Sequence, residues 1–213
     1  MSELIRKNSD YVEYVKLALS NVKADYLTVK RDIDGFLSQF ERKDREKTKN
    51  LAVKYRERVF CYELYHQLRL IQCREPSFPN ELKIHAEIKK EVLLTEIYRN
   101  WKITKLEKEY IPDFIFHNPK NADKQKLVIE VKINPDNKKK EYIYDLKKIH
   151  EFIDKYKFEE GCLIALNKPK VELFEIMKEI MIEFGNIFEK YGKNIFIIYG
   201  DVFEYKVVRL SEF

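Results

Sequence analysis

The chain has 213 residues, enough for one sizeable α/β domain with an extension but short for two full domains. Apolar residues make up 45% and charged residues 36%, which allows a real core and argues against wholesale disorder. No stretch approaches about 18 consecutive apolar residues, and the N-terminus lacks the apolar run of a secretory signal, so we expect neither a membrane partner nor export. Three scattered cysteines without zinc-site spacing suit a reducing cytosol, and we expect a cytoplasmic protein.

The first part of the chain is predicted to be helical. Over residues 9–47, apolar side chains recur at steps of three and four, which favours one long helix or two shorter ones. Two apolar stripes, at 12–22 and 29–40, must bury against the domain, a second copy or a partner protein, so a homodimer is expected as one alternative. We place an N-terminal helical extension at 1–50 and the main domain at 51–213.

The main domain is predicted to contain a mixed sheet with helices on its faces. Residues 51–73 form a helix that is apolar on two sides and therefore central. The period then changes to two at 82–88, which is typical of a half-buried strand. The remaining predicted elements are strands at 111–116 and 126–133, a helix at 142–156, a strand at 161–167, a helix at 171–184 and strands at 194–200 and 205–210. This order predicts the α/β (α+β) class.

The positive charge of the chain is concentrated in one region. The formal net charge is +5, and residues 120–148 hold nine lysines against five acidic residues. Such a local excess can attract a polyanion, although lysine-rich turns are often only solvated. Lys138, Lys139 and Lys140 directly follow the strand that ends near 133, and we predict that they contact nucleic acid.

Two strands carry the residues that indicate chemistry. Pro112 and Asp113 open the first, and Glu130 and Lys132 lie within the apolar run of the second. Because side chains on a strand alternate, Glu130 and Lys132 share one face. Burying either charge alone costs several kcal/mol, so each needs a partner. If the two strands pair as a hairpin, Asp113 comes alongside Glu130, and two close carboxylates repel unless a cation lies between them.

This arrangement of residues suits hydrolysis of a phosphodiester bond. Asp113, Glu130 and the carbonyl of Val131 would hold magnesium, or manganese, and leave positions for water and phosphate. The metal would acidify a bound water and neutralise charge on the phosphate. Lys132 would orient or deprotonate the attacking water and stabilise the transition state.

At these residues the chain resembles the PD-(D/E)XK nuclease superfamily. The matching segments are IPDFIF at 111–116 and VIEVK at 128–132, and the resemblance covers about residues 55–167. It implies the restriction-endonuclease-like fold and magnesium-dependent cleavage of nucleic acid, usually DNA. It also implies a supporting glutamate from the first core helix, a position that Glu63 fits by order. The segment YIYDLKKIHEFI, beyond the catalytic strand, resembles the Asp-Leu-Lys-Lys helix of some small stand-alone members.

Less specific interpretations of the other polar residues remain open. The second Pro-Asp pair, at 135–136, lies in a lysine-rich turn and is expected to be ordinary turn chemistry. Glu87 and His85 are expected on a solvated face of their strand. His117 could touch phosphate, but a role in capping a turn is more common. Many of the tyrosines and phenylalanines fall at core-like positions, so we do not interpret them as platforms for base stacking.

Two classes of function follow from these observations. The first is a DNA endonuclease in defence, repair or mobile-element biology, with Asp113, Glu130, Lys132 and Glu63 as catalytic residues. The second is a catalytically silent module of the same fold that binds nucleic acid or a partner protein. The intact charged residues favour the first class, because a binding module has no need of a costly charge cluster.

Overall fold

The computed structural model describes residues 9–27, 42–87, 106, 110–120, 124–201 and 204–213. Its helices and strands, in chain order, are α1 (Asp10–Asn21), α2 (Arg42–Arg74), β1 (Lys83–Ala86), β2 (Phe114–His117), β3 (Gln125–Lys132), α3 (Lys139–Tyr156), β4 (Glu160–Leu166), α4 (Lys170–Phe188), β5 (Ile195–Gly200) and β6 (Tyr205–Arg209). Short 3₁₀ turns lie at Ala24–Tyr26, Gly192–Asn194 and Leu210–Glu212. Within the described ranges, no helix has the length and apolar character needed to cross a membrane.

The described strands form one six-stranded mixed sheet in the order β1-β2-β3-β4-β5-β6. β1, β2 and β3 are antiparallel, β3, β4 and β5 are parallel, and β6 is antiparallel to β5. Phe114 lies opposite Ile129, and Ile115 lies opposite Val128. The predicted mixed sheet, and the predicted antiparallel pairing of its two middle strands, are therefore confirmed.

Helices cover both faces of the sheet. Alternate residues of β3, namely Leu127, Ile129 and Val131, are buried in a core that includes side chains of α1 and α2. Val128 belongs to a second core, on the opposite face, that is built with α3 and α4. Phe60, on α2, is fully buried in the first core, in agreement with the prediction of a central helix. β3 is thus covered on both sides.

The N-terminal segment begins with a short capped helix that belongs to the core. The hydroxyl of Ser9 accepts a hydrogen bond from the backbone N–H of Val12 at 3.2 Å, which satisfies one unpaired donor at the start of α1. Val12, Val15 and Leu19 are fully buried in the core shared with α2. The stripe at 12–22 is therefore covered within the chain. The stripe at 29–40 lies outside the described residues.

The predicted boundary after residue 50 lies inside α2, which runs without a break through that position. The segment before it is also not one helix from residue 9 onward, because α1 ends at Asn21 and is followed by the turn at Ala24–Tyr26. Helix α1 shares its buried residues with the main domain.

A tight turn and a close packing contact fix the position of α3. The N–H of Asn137 donates to the carbonyl of Asn134 at 3.2 Å, so the second Pro-Asp pair lies in a turn, as predicted. Farther along, α3 packs against β4 at Gly161, where an added methyl group would overlap the side chain of Ile149. The absent side chain of Gly161 leaves the space that the side chain of Ile149 occupies between helix and strand.

Candidate active site

The structure brings Asp113 and Glu130 together where β2 begins and β3 ends. An oxygen (Oδ2) of Asp113 accepts a hydrogen bond from the backbone N–H of Val131 at 2.7 Å. The register that pairs Phe114 with Ile129 continues by one step to place Asp113 opposite Glu130. On the same face of β3, two residues beyond Glu130, lies Lys132. The two strands thus hold all three side chains near one end of their ladder.

Glu130 is buried against a lysine that the sequence prediction did not assign. Its side chain is 1% exposed, and its Oε2 lies 2.5 Å from the ammonium nitrogen (Nζ) of Lys148, on α3. The same ammonium donates to the carbonyl of Ile111 at 3.4 Å. The second carboxylate oxygen of Glu130, Oε1, is buried and has no hydrogen-bond partner among the described residues. Glu130 therefore keeps one free oxygen inside the site.

Asp145, also on α3, connects the two lysines. Its Oδ2 lies 2.8 Å from Nζ of Lys132, and its Oδ1 lies 3.7 Å from Nζ of Lys148. Nζ of Lys132 also donates to the carbonyl of Val131 at 3.2 Å. One signal for this arrangement is present in the sequence, since Asp145 and Lys148 are the first and last residues of the Asp-Leu-Lys-Lys segment. The structure adds both residues to the site.

The sequence prediction selected Glu63 as the supporting helix acid, but Glu57, also on α2, is the glutamate that contacts this cluster. The N–H of Ile133 donates to Glu57 Oε2 at a long 3.5 Å, and Glu57 interacts electrostatically with Lys132. Glu63 instead accepts a hydrogen bond from the amide of Gln67 at 2.7 Å. Six residues separate the two glutamates, which turns Glu63 about 120° around the helix from Glu57. The side chain of Glu63 is thus engaged with Gln67, while Glu57 has the contacts with the cluster.

The fully buried positions of α2 indicate Glu57 as the inward-facing glutamate. The side chain of Tyr62, which immediately precedes Glu63, is 56% exposed. The fully buried positions of α2 include Phe60, Leu64 and Leu68. Glu57 precedes Leu64 by seven residues, two turns along the same side of the helix. A stripe drawn through the leucines alone therefore leads back to Glu57.

Burial and mutual repulsion make the carboxyl groups of this cluster hard to ionise. Burial raises the pKa of Glu130 well above its usual range, and the neighbouring Asp113 raises it further, while Lys148 opposes both. Burial also raises the pKa of Asp113 and of Glu57, against the nearby lysines. The site therefore favours a positively charged partner for its carboxylates.

The two lysines of the site are held in the charged form. Burial lowers the pKa of Lys132, but Asp145 and Glu57 outweigh it and the net pKa is raised. The pKa of Lys148 is likewise raised, because Glu130 and Asp145 outweigh burial. An ammonium group carries a positive charge and donates hydrogen bonds, but it cannot accept a proton. Lys132 is therefore suited to stabilising negative charge and not to deprotonating water.

The residues predicted to hold magnesium offer hard oxygen donors, the type that this ion takes. The two carboxylates of Asp113 and Glu130 and the carbonyl of Val131 lie close together, and one oxygen of Glu130 is free. In the described part of the chain, however, no group of three or more His, Cys, Asp or Glu side chains is arranged to hold a metal ion. The donor set that fits the ion is thus two carboxylates and a backbone carbonyl, with Lys132 and Lys148 beside it.

The three lysines predicted to contact nucleic acid differ in their surroundings. Lys139 is paired with Glu183 at 2.8 Å and with Glu179 at 3.2 Å, both on α4. Lys138 and Lys140, by contrast, are exposed. Lys139 therefore links α3 to α4, and the two others remain available to a ligand.

The remaining polar residues of the sheet edge have structural partners. Glu87 is exposed and its carboxylate lies 3.0 Å from the guanidinium of Arg58, in agreement with the predicted solvated face. His117 is buried, and its Nε2 lies 2.8 Å from Nδ1 of His85. This contact between two strands differs from the predicted phosphate contact or turn cap at His117.

No protein-family model, no curated protein and no solved structure matches this chain. The arrangement of its own side chains is therefore the basis on which a function can be assigned.

Proposed function

We propose that this protein is a magnesium-dependent nuclease of the PD-(D/E)XK type, with a restriction-endonuclease-like fold. Its reaction is the hydrolysis of phosphodiester bonds in nucleic acid, as a DNA endonuclease in defence, repair or mobile-element biology. The observation that carries the proposal is a pair of neighbouring carboxylates, the half-buried Asp113 and the buried Glu130, with Lys132 on the same face of β3 as Glu130.

The topology supports the same proposal. From α2 to β4 the elements of the described ranges follow the order helix, three antiparallel strands, helix, parallel strand. This is the order that the resemblance to the nuclease superfamily implies for its core. The crossover through α3 brings Asp145 and Lys148 onto the face of the sheet that holds Glu130.

Each residue of the site has a role that follows from its position. Magnesium, held by Asp113, Glu130 and the carbonyl of Val131, would supply an acidified water and neutralise charge on the phosphate. The ammonium of Lys132 stabilises the negative charge that develops on the phosphate in the transition state. Asp145 positions that ammonium through their 2.8 Å contact.

Two further residues surround these groups. Lys148 contacts the carboxylate of Glu130 and compensates part of the negative charge of the site. Glu57 adds a fourth carboxylate to those of Asp113, Glu130 and Asp145, from the opposite face and next to Lys132.

A specific observation favours the second function, a catalytically silent module that binds nucleic acid or a partner protein. Lys148 and Lys132 already contact Glu130 and the carbonyl of Val131, so the site is partly neutralised by its own side chains. Replacing one partner of such a buried pair is strongly destabilising. A silent module could therefore retain these charges for stability alone.

Cleavage and metal-dependent melting separate the two functions. We expect wild-type protein to cut DNA, tested beside RNA, only when magnesium is present, and magnesium to raise its melting temperature, because binding to the folded state stabilises it. Glu130→Gln should lose both effects. It should remain folded despite the lost charge, because Lys148 keeps Asp145 as a carboxylate partner at 3.7 Å. Glu63→Gln is the matched control, since the Glu63 side chain is directed toward Gln67.

Two results would contradict the nuclease. Wild-type protein that cuts no substrate and melts at the same temperature with and without magnesium would favour the silent module. Equal cleavage by wild type and Glu130→Gln would show that the active site lies elsewhere.

A further inference from the structure

Tyr144 is a half-exposed aromatic residue beside the carboxylates, and the proposed mechanism does not use it. Its side chain is 49% exposed, whereas many of the tyrosines and phenylalanines were expected in the core. The ammonium of Lys148 lies 5.6 Å from the centre of the Tyr144 ring and 2.5 Å from the carboxylate of Glu130. One side chain therefore contacts both the ring and the candidate metal ligand.

The ring of Tyr144 is supported by a second, anchored aromatic ring. The centre of the Tyr110 ring lies 6.0 Å away, at an interplanar angle of 73°. Tyr110 is itself buried, and its hydroxyl donates a hydrogen bond to Oε1 of Glu151 at 3.3 Å. A ring that is supported in this way and still half open to solvent can bind a planar group with little further ordering.

The surroundings of the ring combine positive charge with apolar surface. Lys140, Tyr144 and Lys148 follow one another at intervals of four residues and so lie along one side of α3. Lys140 is exposed at the outer end, and Lys148 reaches Glu130 at the inner end. Ile111, two residues before Asp113, is 46% exposed, and its carbonyl accepts a hydrogen bond from Lys148. Aromatic side chains beside basic ones are the usual means of binding single strands.

We propose that Tyr144 stacks on an unpaired base of the substrate and that Lys140 contacts the phosphate backbone leading to it. A base inside a duplex is already stacked on both faces and must be extruded before a side chain can reach it. The substrate therefore enters this site as a single-stranded segment. The inference rests on the proposed nuclease function only for the cleavage that follows, because binding needs no metal.

Binding to a labelled oligonucleotide in EDTA tests the inference with the full chain and without cleavage. The probe is a single strand of about 15 nucleotides, near the upper limit of known single-strand sites, with one 2-aminopurine and a terminal fluorophore. The same strand annealed to its complement is the duplex probe. Fluorescence anisotropy measures affinity, and quenching of the 2-aminopurine reports stacking.

We expect wild-type protein to prefer the single strand and to quench the 2-aminopurine. Tyr144→Ala should weaken single-strand binding roughly 5- to 150-fold, which is the range for loss of one base–aromatic stack. It should also abolish the quenching and leave duplex binding unchanged. Tyr144→Phe should behave like wild type, because the ring and not the hydroxyl makes the stack. Tyr62→Ala, on the helix across the sheet, is the control for loss of an exposed tyrosine.

Three results would overturn the inference: unchanged binding and quenching in Tyr144→Ala, an equal loss for single strand and duplex, or a loss in Tyr144→Phe as large as in Tyr144→Ala. Its failure is distinguishable from failure of the nuclease function. If stacking depends on Tyr144 but magnesium produces no cleavage, only the nuclease fails. If wild type and Tyr144→Ala cleave alike, only the stacking proposal fails.

Discussion

The two faces of β3 bury different kinds of side chain, apolar on one face and partly charged on the other. Toward α1 and α2 the strand shows Leu127, Ile129 and Val131, all fully buried among apolar neighbours. Toward α3 it begins with Val128 in the same manner but then changes to Glu130 and Lys132. The first face gains stability from every residue it buries.

The second face gives up part of that gain, because charged groups lose hydration when they are buried. The loss is limited by partners from a different element: Asp145 and Lys148 supply opposite charges to Lys132 and Glu130. A face that retains charge at such a cost indicates a role in binding or chemistry. The apolar face serves stability alone, so substitutions on the two faces should have different kinds of effect.

The largest expected effect is on catalysis by Lys132→Ala. Losing its positive charge should lower kcat by about 10²- to 10³-fold, if it resembles loss of a donor that stabilises a developing oxyanion. Magnesium should still raise the melting temperature, because Asp113 and Glu130 remain. Steady-state kinetics beside melting curves would check both statements, and a variant that kept its kcat would remove Lys132 from the mechanism.

The next effect compares two aspartates of α3. Asp145→Asn removes the negative partner of the buried Lys148 and the half-buried Lys132, so we expect a loss of about 3–5 kcal/mol in the free energy of unfolding. Asp154→Asn, which breaks a solvent-exposed pair with Lys190, should cost about 0–1 kcal/mol. Denaturant titrations of both variants measure the difference. Equal losses would mean that the cluster is more solvated than its contacts indicate.

The smallest effect concerns pH. Folding raises the pKa of Glu130. Between the ordinary and the raised pKa, Glu130 is therefore protonated in the folded protein and ionised in the unfolded chain. Stability should therefore fall as the pH rises from the ordinary glutamate value of about 4.3 through the raised pKa. In metal-free buffer, the titration of Glu130 should contribute a slope of up to about 1.4 kcal/mol per pH unit to the fall in the free energy of unfolding. Glu130→Gln should remove this contribution.

Ile129→Val is the matched control for this pH dependence, since it changes the neighbouring residue on the apolar face. It should lower the free energy of unfolding by about 0.5–1.5 kcal/mol. This loss should be the same at every pH, because no titrating group is changed. Urea denaturation across the acidic and neutral range would compare the slopes of the three proteins. A slope for Glu130→Gln equal to that of wild type would show that Glu130 titrates as in the unfolded chain.

Much of the sheet could be predicted from the sequence, because alternation within a strand is local. The faces of β3 and its pairing with β2 follow from period two and from a short connection. The partners of the charges could not be derived in the same way. Lys148 meets Glu130 across 18 residues, through a crossover helix whose rotation depends on packing against the sheet.

The choice between Glu57 and Glu63 shows that a small error in position along a helix is enough to misassign a site residue. Glu63 was assigned by its order along the chain, whereas the fully buried positions Phe60, Leu64 and Leu68 lie on the side of α2 that carries Glu57. An error of this kind leaves the assignment of the core unchanged. It changes the site, because a rotation of about 120° around the helix axis determines which glutamate faces the cluster. The stripe at 29–40 and its partner stay a prediction.

The contact at Gly161 gives a way to alter the site without changing any charge. α3 rests on β4 where the strand has no side chain, so the separation of helix and sheet is set there by backbone and by Ile149. Asp145 and Lys148 are carried by that helix, while Lys132 and Glu130 are carried by the sheet. A methyl group at position 161 would act as a spacer that moves one half of the ion-pair cluster away from the other. The geometry of the cluster is therefore adjustable from a position within the apolar core.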